Sequence, residues 1–120
     1  MKLYISIPIS GRPIPDAVHQ AEIIKMKLEH HGHECITPFD VCPETGKPYA
    51  YYMGRDIEAL LADDIEGVVF GYGFENSKGC QLEHAAAVIY GKHIVYQSTF
   101  YMLDFEKLTV KQFSHEKVSH

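Results

Sequence analysis

Two carboxylates carry the chemistry this sequence suggests. Glu83 lies in the stretch ENSKGCQLEH, a few residues past the small polar turn Ser77-Lys78-Gly79. Asp56 lies in RDIEALLADD, near the start of a separate helical pattern and away from its Ile57–Leu60–Leu61 stripe. Two carboxyl groups in one site can divide the work of catalysis. One attacks or steadies a positive charge, while the other moves a proton. Each also has a plainer reading, because acidic residues on surface helices are usually solvated. Glu83 is followed by Ala85, Ala86 and Ala87, whose small size implies close packing around it.

Other groups are weaker candidates. Cys80 stands four residues before His84, as a nucleophile stands to its base, but no third group is recognisable to orient the histidine. His30, His31 and His33 cluster without further ligands at metal-binding spacing, so they read as a polar helix end. Asp64 directly precedes a strand and reads as a turn residue. No metal and no cofactor is expected.

These residues need elements to hold them. Residues 2–7, KLYISI, read as a short buried strand, and PISGRPIP as the loop after it. Ala17, Ala21, Ile24 and Leu28 predict an amphipathic helix over about 15–31, ended by Gly32. HECITP reads as a second strand stopped by Pro38. Residues 39–50 are turn-rich and read as a loop over a site. Met53, Ile57, Leu60 and Leu61 stripe a second helix from about 51 to 64. GVVFGY is a third strand, and residues 79–91 a third helix with Leu82, Ala86 and Ile89 on one face. HIVYQ is a fourth strand. FYMLDFEKL is a short helix or strand, and KQFSHEKVSH reads as a tail.

Strands that alternate with helices imply a parallel sheet covered on both faces. The expected fold is a single α/β domain over 1–110, flavodoxin-like or Rossmann-like, with about four to five strands, followed by a flexible tail at 111–120. Ligands of such sheets bind beyond the carboxyl ends of the strands, where strand order switches. Chemistry therefore belongs in PISGRP, PFDVCPETG and GYGFENSKG. Glu83, one turn into the following helix, can reach that crevice.

Composition excludes several classes. The chain has 120 residues and a formal net charge of −5, which gives one core and no basic footprint for nucleic acid. Cys35, Cys42 and Cys80 are odd in number and lack zinc spacing, which favours reduced thiols in a cytoplasmic protein. The start, MKLYISIPIS, does not read as a signal peptide, and no apolar run approaches the roughly 20 residues of a membrane span. The first loop lacks both the dinucleotide glycine pattern and the P-loop pattern. GVVFGYG ends without the aspartate that a phospho-acceptor domain needs.

LYISIPISG, RDIEALLADDIEGVVF and NSKGCQLEHAAAVIYGKHIVY resemble the nucleoside 2-deoxyribosyltransferase-like superfamily, and within it a small group of unknown function. The resemblance covers most of residues 1–97, and its last segment, Ser77-x-Gly79-x-x-x-Glu83, is the most specific. It implies cleavage or transfer at the N-glycosidic bond of deoxynucleosides or deoxynucleotides. The alternatives it leaves are a deoxynucleoside 5′-monophosphate hydrolase and a non-catalytic nucleotide sensor. Glu83 matches the family's nucleophile and Asp56 its sugar-contacting, proton-moving aspartate. Ser77 and Gly79 match the turn that holds the sugar or its 5′ end. Tyr4 matches an aromatic beside the nucleophile, and Ser6 and Pro8 belong to the first ligand-binding strand motif. The implied partner is a small nucleoside or nucleotide. A homo-oligomer is implied too, built through the apolar C-terminal stretch STFYMLDF. Three departures stand beside these matches. Ile7 replaces the usual glycine, Thr37-Pro38-Phe39 replaces a ligand-facing histidine, and only Arg12 is near where a phosphate-binding arginine is expected.

Overall fold

A computed structural model describes residues 1–111; apart from Lys111, the tail expected at 111–120 lies outside the described residues. The sheet has four strands: β1 (Lys2–Ser6), β2 (Glu34–Ile36), β3 (Gly67–Phe70) and β4 (His93–Tyr96). All pair in parallel, in the order β2-β1-β3-β4. The chain leaves β1 for one neighbour and later returns to its other side as β3. The switch in strand order thus falls between β1 and β3, and their carboxyl ends open a crevice there.

Helices cover both faces. α1 (Ile14–His30) lies on one side, and α3 (Tyr49–Leu60) and α4 (Lys78–Ile89) lie on the other. The alternation of side chains along β1 divides the core between them. Leu3, Ile5 and Ile7 pack with Val69, Val95 and the α1 residues Ala17, Ala21, Ile24 and Leu28. Tyr4 packs with Val68, Phe70, Leu60 and Ala87 on the opposite side. Each fully buried Leu or Ile is worth about 1.5–3 kcal/mol.

Several elements depart from the sequence reading. The segment 39–50 is not one loop. It begins with a single turn, α2 (Pro38–Val41), because Thr37 and Asp40 form a reciprocal capping box. α3 then starts at Tyr49, which leaves Cys42–Pro48 as the connection. The buried residues of α3 are Asp56 and Leu60, while Ile57 and Leu61 are only half-buried. α4 turns Cys80, Glu83 and Ala87 inward instead of the expected apolar stripe, leaving Leu82 52% and Ile89 75% exposed. FYMLDFEKL forms neither one helix nor one strand. A 3-10 turn (Gln97–Met102) leads into a small antiparallel hairpin of β5 (Leu103–Asp104) and β6 (Thr109–Val110).

Histidines fasten that hairpin. Buried His33 donates through Nε2 to the Phe105 carbonyl at 2.6 Å, and its Nδ1 lies 3.1 Å from the Met1 amino group. His31 stacks on the Phe105 ring and contacts Glu106 at 2.8 Å, and His93 donates to the Leu108 carbonyl at 2.8 Å. Leu103, Phe105 and Leu108 pack into the α1-side core. Among the described residues no group of three or more His, Cys, Asp or Glu is placed to hold a metal ion, and no helix is long and apolar enough to cross a membrane.

Candidate active site

The crevice is a cleft of about 1830 Å³, larger than the roughly 300–1,000 Å³ of most small-molecule sites. Pro8, Arg12, Asp56, Ser77, Gly79 and Glu83 are among the residues that line it. Ser77 sets the start of α4: its side-chain oxygen accepts the Cys80 amide at 3.2 Å, as an N-cap does. Glu83 then falls on the inward face one turn later. It is 4% exposed. The Tyr4 hydroxyl donates to its Oε2 at 2.7 Å, and the Ser6 hydroxyl to its Oε1 at 2.8 Å. Tyr4 and Ser6 are two apart on β1, so they share the face that meets α4.

Asp56 comes from α3. Tyr49, Tyr52, Met53 and Asp56, at the i, i+3, i+4, i+7 spacing of one helical face, all line the cleft. Asp56 is 7% exposed, and its Oδ1 has no hydrogen-bond partner. A buried carboxylate oxygen without a donor is costly unless a proton or ligand satisfies it. The first turns of α3 and α4 touch at Gly79. A methyl group there would lie 3.1 Å from Met53 Sδ and 3.2 Å from Tyr49 Oη.

Burial sets the protonation states. It pushes the Glu83 carboxyl up to about 7; the Tyr4 and Ser6 donors pull it back, and the Asp56 charge adds to the rise. Burial likewise pushes Asp56 up to about 6, opposed by the Tyr4 hydroxyl. Tyr4 is held well above the ordinary phenol range by burial and by the charges of Glu83 and Asp56, so it remains a donor. Near neutral pH the pair can hold one proton between them. Glu83 is the higher of the two, so a nucleophilic Glu83 and an acidic Asp56 require the shared proton to sit on Asp56 when substrate is bound.

All seven residues singled out from the sequence meet here. Asp56 and Glu83 line the cleft floor, with Tyr4 and Ser6 buried beneath it and bonded to Glu83; Pro8, Ser77 and Gly79 line the walls. Cys80 and His84 do not pair. His84 Nε2 lies 2.8 Å from Tyr96 Oη, in a cluster in which the rings of Phe74, His84 and Tyr96 all stack on one another. Burial pushes the Cys80 thiol up, the wrong direction for a nucleophile. Ile7 borders the cleft but is only 3% exposed and packs with the α1-side core, on the face opposite Tyr4 and Ser6. Thr37 is spent on capping α2.

The sequence reading missed a polar network at the rim. Arg12 donates to the Pro8 carbonyl at 3.0 Å and to Gln20 Oε1 at 2.6 Å. Gln20 Nε2 and the Tyr72 amide both donate to Gln97 Oε1, at 3.1 and 2.9 Å, tying the loop after β1 to the loop after β3. Gly71 makes room for this crossing. A methyl there would fall 2.5 Å from Gln20 Nε2 and 2.7 Å from Ile7 Cγ2. The signal existed, since Gln20 continues the Ala17–Ala21–Ile24 face of α1.

No curated protein matches the chain in sequence. Among solved structures, the 2-desoxiribosyltransferase from Leishmania mexicana is similar, with a TM-score of 0.59 over 93% of this chain and 79% of that one. The two are 18% identical, so the likeness is one of fold. The family described as "Domain of unknown function (DUF4406)" matches residues 1–96. That match spans β1 through β4 and the whole cleft floor, and the chain belongs to the DUF4406 family, on the fold of a deoxyribosyltransferase.

Proposed function

We propose that this protein breaks the N-glycosidic bond of a deoxynucleoside or deoxynucleotide, with Glu83 as nucleophile. The observation that carries this reading is the buried Glu83 carboxylate, held by Tyr4 and Ser6 at the cleft floor beside a partnerless Asp56 oxygen. The bond breaks through a cation-like anomeric carbon. A fixed carboxylate beneath that carbon stabilises the charge and then closes onto it as an ester, as in retaining glycosidases. A sugar without a 2′-hydroxyl forms the cation more readily. The electron pair of the broken bond leaves with the base, which takes up a proton from Asp56. Such acid assistance is worth about 10²–10⁴-fold in rate.

The ester is then opened by a second base, which is transfer, or by water, which is hydrolysis. Ser77 and Gly79 stand where the sugar's 5′ end meets the start of α4. The same reading includes a homo-oligomer built through the C-terminal stretch, where Tyr101 is 84% exposed; light scattering tests it.

The deciding experiment is a chromatographic screen of the natural deoxynucleosides and their 5′-monophosphates, with and without an acceptor base. Free base from the wild type and none from Glu83→Gln is the expected result. No release from any compound would leave the nucleotide-sensor reading standing instead.

A further inference from the structure

The cleft-facing stripe of α3 includes Tyr52, whose hydroxyl does not point a free hydrogen bond at the cleft. It donates to the Glu44 carbonyl at 3.0 Å and accepts the Lys47 amide at 3.1 Å. It therefore bridges both ends of a turn in which Gly46 holds φ at +75°. Among the described residues no backbone–backbone hydrogen bond falls within Pro43–Lys47. The hydrogen bonds that join this exposed segment to the rest of the described residues are the two made by the Tyr52 hydroxyl, beside the Lys47 ammonium over the Tyr51 ring at 5.6 Å. The segment is not incidental to the cleft, because Pro43, Glu44, Thr45 and Gly46 all line it.

The location follows from the direction of attack. Glu83 lies at the floor and reaches a sugar only from below. A leaving group departs on the far side of the reacting carbon, away from the buried floor, and the exposed residues Pro43, Glu44, Thr45 and Gly46 are among those that line the cleft there to receive it. We propose that Pro43–Lys47 is the surface that receives the departing base, and that Tyr52 is the positioning residue that fixes it and so sets base preference. The inference rests on the proposed N-glycosidic chemistry. It assigns Tyr52 no contact with the reacting atoms, so its effect belongs in binding and selectivity.

The test is Tyr52→Phe, which removes one oxygen and keeps the ring, measured beside Gly46→Ala. Alanine at 46 meets no atom within 4 Å but strains a positive-φ position, which disturbs the same segment from its other end. In Tyr52→Phe, the Lys47 amide should exchange with solvent at least about tenfold faster by NMR, and KM for the best substrate should rise about tenfold, as expected for two lost hydrogen bonds. The ratio between the best and worst base should narrow in both variants, with kcat within about twofold of wild type. Unchanged Lys47 exchange, or a fall in kcat at constant KM, overturns the proposal.

If the wild type releases no base at all, the proposed chemistry fails separately. Dissociation constants for the natural deoxynucleosides and their monophosphates then replace KM. Weaker binding to Tyr52→Phe supports the base surface; equal binding, or none to either protein, overturns it.

Discussion

Glu83→Gln should abolish base release and make the protein more stable above pH 7. The unfolded chain gives up the Glu83 proton near the ordinary 4.5, whereas burial in the fold delays this to about 7. Below 4.5 both states are protonated and the burial costs nothing extra. Between 4.5 and 7 the folded state holds the proton more tightly. Above 7 both states are ionised, and the fold bears the full cost of a desolvated carboxylate. At about 1.4 kcal/mol per pH unit, that cost is about 3 kcal/mol. Glutamine removes it but serves the Tyr4 and Ser6 donors less well, forfeiting about 1 kcal/mol. The net gain is about 2 kcal/mol at pH 8, or a rise in Tm of about 6–10 °C for a domain of this size. At pH 4.5 the gain should vanish. Thermal unfolding by circular dichroism at both pH values reads the difference directly. A variant that melts below wild type at pH 8, or a Tm difference equal at the two pH values, would refute the assignment of Glu83 as a buried, strained carboxylate.

Other perturbations probe the surroundings. Tyr4→Phe removes a charge-assisted donor, so Glu83 should titrate about one pH unit or more above its wild-type position. Activity that needs the ionised carboxylate rises with pH, so the half-point of the rate profile should move upward; a half-point that stays put sinks the idea. Ile7→Gly should cost about 3 kcal/mol or more without increasing base release, because Ile7 fills the α1-side core. A gain in turnover would show that its side chain obstructs the cleft after all. His33→Ala strips the Phe105 carbonyl of its buried donor and should cost about 1–3 kcal/mol, with faster amide exchange concentrated in the β5–β6 hairpin. Uniform loss of protection across the domain would count against a local role.

The alternation of strands and helices was legible because each strand is short, apolar and followed by turn residues. The position of Glu83 after the third strand was legible for the same reason. Its burial was not. Periodicity assigns the inside of a helix by apolarity, and on α4 this rule points to Leu82 and Ile89, both exposed. The inward face of α4 is instead Cys80, Glu83 and Ala87, small or ionisable residues that fit close to the sheet. α3 misled in the same way. Its stripe of Met53, Ile57, Leu60 and Leu61 reads as the inside, yet Met53 lines the cleft together with Tyr49, Tyr52 and Asp56, a face set by the cleft and not by the core. Polar residues facing a cleft break the hydrophobic pattern, so pattern reading fails where function lies. Ile7, a departure from the resembled motif, takes its meaning from the two sides of β1: as an odd-numbered position it faces the α1-side core.

That two-sidedness of β1 constrains how this lineage can change. Positions 3, 5 and 7 can exchange one apolar residue for another, since their neighbours are other apolar side chains. Length is a different matter. Inserting or deleting one residue inside Lys2–Ser6 would rotate the whole strand by half a period. Isoleucine would then meet the Glu83 carboxylate, and a phenol and a hydroxyl would be thrust into oil. One mutational step would lose both the chemistry and the core. Homologues should therefore vary in which apolar residues stand at positions 3, 5 and 7, but not in how many residues β1 has.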